Sequence, residues 1–268
     1  MRQNVRGMPT LVGIPFDSQS SYLRGAGGAP AMIRKALSSA ASNNWTELGM
    51  ELAADAYEDA GDLTLPEQDA FAAIESNLKK LLDESRRPIS LGGDHSITFP
   101  IVKAFAPVHP GLTIFHFDAH PDLYDEFEGN RLSHACPFAR IMEAGLAQRL
   151  VQIGIRTATR HQREQAKKFG VELLEMRRLP AYGMLKSAGP VYISFDMDVL
   201  DPAFAPGVSH REPGGMTVRE AIAHLHAIEG NIVGADLVEC NPIRDVDTMT
   251  ATVAAKILKE ILGKMIAG

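Results

Sequence analysis

Leu112-Thr-Ile-Phe-His-Phe-Asp-Ala-His-Pro-Asp-Leu-Tyr-Asp125 begins as an apolar, β-branched and aromatic run and turns abruptly acidic. Its first half has the composition of a buried strand, and its second half sets Asp118, His120 and Asp122 two residues apart. Side chains alternate along a strand, so all three can project to one side where the strand ends. Carboxylates pressed together repel and raise one another's pKa unless a cation sits among them. The stretch therefore reads as half of a metal site at a strand terminus.

Other strands supply the remaining half. Pro190-Val-Tyr-Ile-Ser-Phe-Asp-Met-Asp-Val-Leu-Asp-Pro202 repeats the design and ends in Asp196 and Asp198. Arg86-Arg-Pro-Ile-Ser-Leu runs into Gly92-Gly-Asp-His-Ser96, where two glycines permit a sharp turn that brings His95 to the strand's carboxyl edge. Asn231 to Pro242 reads as a further strand ending at Glu239. Thr10 to Pro15, Leu150 to Arg156 and Val171 to Leu174 have strand composition. Helical spacing occurs over Ala31–Leu37, Pro66–Glu84, Phe138–Leu150, Arg163–Phe169, Arg219–Ile228 and Thr248–Ile266. Alternating strands and helices predict a three-layer α/β/α fold with a mostly parallel central sheet, as one domain over residues 1–268. Ligands of such sheets bind outside the carboxyl ends of strands, where all these candidates fall. Gly25, Gly27 and Gly28 lack the spacing of a phosphate cradle and read as a loop, and residues 38–65 are irregular, with Glu58 to Asp62 a strand end or turn.

Composition excludes several function classes. A net charge of -6 over 268 residues argues against nucleic-acid or anionic-membrane partners. Two cysteines, Cys136 and Cys240, are too few for a disulfide framework or a cysteine-rich zinc module. No membrane-length apolar run occurs, and the basic Met1 to Gly7 stretch has no apolar segment after it, so the expected location is the cytoplasm.

His95, Asp118, His120, Asp122, Asp196 and Asp198 are too many ligands for one tetrahedral zinc, and two metals sharing carboxylates fit better. Oxygen-rich ligation with some imidazole suits Mn²⁺. Such a pair, about 3.5 to 4 Å apart, makes a hydroxide nucleophile without an activated Ser or Cys. Any one of these acids alone would read as a helix cap or turn residue. Two apolar strands that each end in a same-side acid pair favour the metal. Glu239 reads either as a plain strand-end carboxylate or as the anchor of a cationic substrate group. His134 reads either as a helix-start residue or as a general acid.

Gly92-Gly-Asp-His-Ser, Phe117-Asp-Ala-His-Pro-Asp, Ser194-Phe-Asp-Met-Asp-Val-Leu-Asp-Pro and Val238-Glu-Cys-Asn-Pro together resemble the ureohydrolases, the arginases and agmatinases. The likeness runs from about Leu11 to the C-terminus, and Asp122-Leu-Tyr-Asp, Phe127-Glu-Gly-Asn, Ser133-His-Ala and Phe138-Ala-Arg-Ile-Met-Glu look most like plant-type arginases. The resemblance implies an arginase-like fold, trimers or hexamers, and two Mn²⁺ per subunit. One ion would lie on His95, Asp118, Asp122 and Asp196, and the other on His120, Asp118, Asp196 and Asp198. It further implies that hydroxide attacks a guanidinium held by Glu239 while His134 protonates the departing amine, with His134, Glu239 and Asp198 as the catalytic set. Many relatives carry His-Gly before Pro-Phe, whereas here His134-Ala-Cys precedes Pro137, which changes the wall beside the proton donor.

The loop after Asp122 is expected to read the far end of the substrate. Asp125, Glu126 and Glu128 suit an ammonium, while Asn130, Arg131 and Ser133 suit an α-carboxylate. The expected reaction is arginine to ornithine plus urea, with agmatine to putrescine, or another guanidino acid, as the alternative. Two remoter alternatives are a cysteine-dependent guanidine deiminase using Cys136 or Cys240, and a metal-binding protein without turnover.

Overall fold

A computed structural model describes residues 7–179 and 185–268; the reading of the N-terminus over Met1 to Arg6 lies outside them. Eight strands form one sheet: β1 (Pro9–Gly13), β2 (Glu58–Asp62), β3 (Arg87–Leu91), β4 (Thr113–Phe117), β5 (Arg149–Ile155), β6 (Glu172–Glu175), β7 (Leu185–Asp196) and β8 (Ile228–Val238). Their spatial order is β2-β1-β3-β8-β7-β4-β5-β6, and every pairing is parallel. Seven helices accompany them among the described residues: α1 (Ala29–Leu37), α2 (Ala70–Asp83), α3 (Thr98–Phe105), α4 (Pro137–Glu143), α5 (Arg160–Phe169), α6 (Val218–His226) and α7 (Met249–Ala267). The sheet is buried on both faces because its central strands are apolar at successive positions. Leu11, Phe115, Phe117, Ile193 and Phe195 pack on one side with residues of α1, α6 and α7. Val12, Ile114, Tyr192 and Val233 face the other side, with residues of α2, α3 and α4.

The register aligns the ends of the central strands. Phe117 pairs with Phe195, Phe195 with Leu237, and Leu91 with Leu237. Residues that follow these four strands are therefore delivered to one edge, although β3 and β4 are separated in space by β8 and β7.

Several elements differ from the sequence reading, and helix α3 over Thr98–Phe105 has no counterpart in it. Glu58 to Asp62 is a strand paired with β1, exposed at each position and rich in acids, so it carries no apolar pattern to reveal it. Arg34 fixes it through Asp59 at 2.7 Å and through Asp62. Helix α4 stops at Glu143 instead of Leu150, since Gly145 takes φ 63° and turns the chain toward β5. Helix α5 starts at Arg160 because Thr159 and Gln162 form a reciprocal capping box. In the Gly25 loop, the backbone N–H groups of Gly25 and Gly27 donate to Asp17 Oδ2 at 2.7 and 3.2 Å. A carboxylate already fills the place a phosphate would take.

The Gly-Gly pair after β3 serves a different purpose from the expected turn. Neither glycine has positive φ, but a Cβ on Gly93 would lie 1.7 Å from the Phe16 carbonyl oxygen. That carbonyl accepts Asp94 N–H at 2.9 Å, and Gly93 O accepts Glu239 N–H at 2.8 Å. Close approach of three chain segments is what demands glycine. Gly93→Ala should cost roughly 3 kcal/mol or more, read as a lower urea midpoint at unchanged slope. A loss below about 1 kcal/mol would mean that the Phe16 segment moves aside freely.

Candidate metal centre

His95 sits in a one-turn helix opened by Asp94, whose carboxylate accepts Ser96 N–H at 3.0 Å. Its Nε2 lies 3.0 Å from Ser194 Oγ, and that hydroxyl donates to Asp236 Oδ1 at 2.7 Å. Ser194 therefore accepts from His95 Nε2–H, and the lone pair belongs to Nδ1. Nδ1 lies 3.2 Å from Asp118 Oδ2, 3.1 Å from Asp122 Oδ2 and 3.1 Å from Asp196 Oδ2. This nitrogen is buried and has no hydrogen-bond partner. One lone pair facing three carboxylate oxygens in a dry volume is a cage for a cation.

A second group adjoins the first. His120 Nδ1 is 3.0 Å from Asp198 Oδ2 and 3.4 Å from Asp118 Oδ1. Asp118 offers one oxygen to each group, while Asp196 reaches the first through Oδ2 and accepts Asp198 N–H on Oδ1 at 2.7 Å. All six sequence-predicted ligands are thus brought together, and their oxygen and imidazole donors suit divalent cations. Burial, together with the neighbouring Asp118, pushes Asp198 up to about 6. Burial and its two acidic neighbours also raise Asp196 well above the usual carboxylate range. Burial alone would lower His95, but its three carboxylates raise it well above an ordinary imidazole.

Glu239 and His134 close the inner end of the adjoining cavity. Glu239 adopts φ 62°, its Oε1 accepts His95 N–H at 2.9 Å, and its Oε2 is buried without a partner. His134 Nδ1 lies 3.6 Å from Glu239 Oε1, and its Nε2 lies 2.9 Å from Ser21 Oγ. Burial works against the charged imidazole, yet Glu239 wins and His134 is pushed up to about 9. The cavity is about 230 Å³ and its walls include Tyr124, Phe127, Thr157, Gln162, His210 and Glu212.

The structure does not bring Asn130, Arg131 and Ser133 to this wall. Arg131 is drawn to Asp125 at 2.6 Å and Glu143 at 2.9 Å, because two nearby carboxylates outcompete an empty rim. Asn130 Nδ2 donates to Gln19 Oε1 at 2.6 Å, and Ser133 Oγ accepts Ala135 N–H at 3.3 Å. The cysteines also lie off the wall; burial raises Cys240 and pushes the Cys136 thiol up to about 12, so neither forms a thiolate nucleophile.

Sequence reasoning missed several residues around the centre, among them Ser21, His210, Arg156 and His116. Ser21 and His210 reach it from loops, with His210 stacked on His134 at 5.0 Å. Arg156 donates to the carbonyls of Asp198 and Glu212, both at 2.6 Å, and so ties the Asp198 turn to the loop bearing His210. His116 lies against Asp118, and a buried polar residue inside the apolar strand was a usable signal for it.

The Arginase family model matches residues 9–263. "Arginase 1, mitochondrial" of Arabidopsis thaliana is 47% identical over 275 residues, covering 96% of this chain and 80% of that protein. The agmatinase of Bacillus cereus is 39% identical, covering 94% of this chain and 90% of that protein. The solved arginase from Medicago truncatula superposes with a TM-score of 0.93 at 45% identity, covering 98% of this chain and 89% of that one. Relatives named as mitochondrial overturn the expected cytoplasmic location. Two free thiols do not distinguish one reducing compartment from another, and no helix among the described residues is long and apolar enough to cross a membrane, so neither observation singles out the cytoplasm.

The raised histidines give a pH prediction. A group whose folded pKa exceeds its unfolded value stabilises fully below the unfolded value and loses that contribution as pH rises through the folded one. For His134 the window runs from 6.5 to about 9, and His95 and His120 act in the same direction. Chelator-stripped protein should therefore melt at a lower temperature at pH 9 than at pH 6.5, with a shallower fall in His134→Asn. Cations replace protons in the cage, so added Mn²⁺ should raise the melting temperature more at pH 9. A melting temperature that rises across this window would contradict the assignment.

Proposed function

The chain belongs to the arginase family of metal-dependent hydrolases acting on guanidino compounds, and on that premise we propose that it converts L-arginine to L-ornithine and urea with two Mn²⁺ per subunit. The observation that carries this reading is the buried, unpartnered Glu239 Oε2 at the inner end of a cavity that also borders Asp196, Asp198 and His120. A desolvated carboxylate oxygen calls for a cationic donor, and a planar guanidinium is the substrate group that meets it.

His95, Asp118, Asp122 and Asp196 would hold one ion, and His120, Asp118, Asp196 and Asp198 the other, with Asp118 and Asp196 shared. Such ions, when bound, supply Lewis acidity and make water acidic enough to act as a nucleophile near neutral pH. Glu239 orients the guanidinium and stabilises its charge. Water adds to the guanidinium carbon, the bond from that carbon to the substrate-chain nitrogen breaks, and that nitrogen must leave with a proton. His134 carries the proton, since Glu239 keeps it charged up to about pH 9 and Ser21 fixes its ring.

A second reading, agmatine, draws support from the wall itself: among the described residues no Lys or Arg lines the cavity, so no full positive charge there meets an α-carboxylate. Arginine is preferred because its carboxylate can be met by the neutral donors Thr157, Gln162 and His210, and because the relatives named arginase share more of the sequence. Exposed Ile243, Val246 and Met249 support a homo-oligomer; a monomer by light scattering at micromolar concentration would remove that element.

Urea release from Mn²⁺-loaded protein should be fastest on arginine, vanish on chelation and return with Mn²⁺; turnover that persists without metal would sink the reading. Asp118→Ala should lower the occupancy of both ions by elemental analysis, and His120→Ala mainly one. Glu239→Gln should cut kcat/KM by about 100-fold or more, the scale of losing a charged contact in a dry site.

A further inference from the structure

His116 stands inside β4, fully buried, two residues before Asp118 on the same side of the strand. With His95 and Asp118 it forms a group of donor atoms close enough to hold a metal, so by proximity alone it could be a seventh ligand. Its other neighbour decides the matter. Gln152, on the adjoining strand β5 and paired in register with His116, places Nε2 2.9 Å from His116 Nδ1 and 2.5 Å from the carbonyl oxygen of Pro121. The Pro121 carbonyl can only accept, so the nitrogen end of the Gln152 amide must face it. That nitrogen carries two protons; one goes to Pro121 and the other points at His116 Nδ1. His116 Nδ1 must then accept, and the ring proton resides on Nε2, which faces Asp118 Oδ2 at 2.8 Å. A protonated nitrogen cannot ligate a metal. The ring is held in this plane by stacking on Phe138, with centroids 3.9 Å apart. Gln152 Oε1 is left buried without a partner, so the amide gives up one hydrogen bond to keep this orientation.

We propose that Gln152 and His116 form a positioning relay, in which Gln152 fixes the Nε2–H tautomer of His116 and His116 thereby orients the carboxylate of Asp118, one oxygen of which faces each donor group. The relay rests on the metal reading given above and adds to it a residue pair outside the ligand set. Because Gln152 also grips Pro121, which lies between His120 and Asp122, one amide sets the backbone of that turn and the carboxylate of Asp118 together. Partners of this kind usually change metal affinity about 10- to 100-fold when lost.

The test measures Mn²⁺ affinity and stoichiometry by chelator competition, following free Mn²⁺ by electron paramagnetic resonance. His116→Leu and Gln152→Leu should each weaken binding about 10- to 100-fold while still taking up two ions at saturation. His116→Gln, whose amide can donate to Asp118 from nearly the same place, should stay within about threefold of the parent chain. Loss of one ion from His116→Gln would make His116 a ligand and overturn the relay, and so would leucine variants that bind as tightly as the parent. Should the leucine variants fail to fold, imidazole proton-nitrogen correlation spectra of the histidine-labelled parent chain with diamagnetic Mg²⁺ decide alone. A proton on Nε2 with a bare Nδ1 supports the relay, and a proton on Nδ1 ends it. If the parent chain took up no Mn²⁺, the metal reading would fall while the tautomer result would still stand.

Discussion

Four carboxylates and two imidazoles share one largely buried volume, and that crowding is the constraint from which the rest of the molecule follows. Desolvation alone makes each charge costly, and mutual repulsion adds to it, as the raised positions of Asp196 and Asp198 show. A cation reverses the sign of both effects. Every nearby polar device points the same way. Ser194 and Asp236 turn the lone pair of His95 inward, backbone amides take the outer oxygens of Asp196 and Asp198, and Arg156 pins the turn that carries Asp198.

Holding such a group requires backbone that ordinary strands do not offer. Asp122 and Glu239 both occupy left-handed φ, at 49° and 62°, where a side chain other than Gly, Asn or Asp is uncommon. Strain of this kind survives only where the surroundings over-determine it. At Glu239 they do so through its amide bond to Gly93 and through the His95 N–H on its side chain. Among the eight described non-glycine residues with positive φ, these two face the cavity, so at Asp122 and Glu239 the cost is tied to the chemistry and the parallel sheet carries it.

The far end of the cavity obeys a different logic. Asp125 and Arg131 pair with each other, and Arg140 and Glu143 join the network, so these side chains are engaged away from the cavity wall. The cavity wall beyond the acid cluster carries aromatic and neutral polar side chains together with one carboxylate, Glu212; walls of this kind discriminate through shape and unpaired hydrogen bonds as well as charge.

By itself the sequence determined most of the alternation of strands and helices, the strand ends carrying His95, Asp118, Asp196 and Glu239, and the six acidic and histidine side chains that gather at one edge of the sheet. Each of these is encoded locally, by an apolar run that stops at an acid or a histidine. Locally encoded too, though overlooked, were the capping box that starts α5 and the buried His116 and Gln152 in their strands. Only the tertiary structure decided the rest. The strand order, with β8 and β7 between β3 and β4, juxtaposed Glu239 with His134 across more than a hundred residues of chain. It also drew Arg131 away from the cavity, brought in His210 and Ser21 from loops whose sequence has no period to read, and set Arg156, just past the end of β5, against the Asp198 turn. The physical reason is that the partner a charged or polar side chain finds is set by what the packed elements place within about 3 Å of it, and that distance is a property of the assembled sheet and not of the chain around the residue.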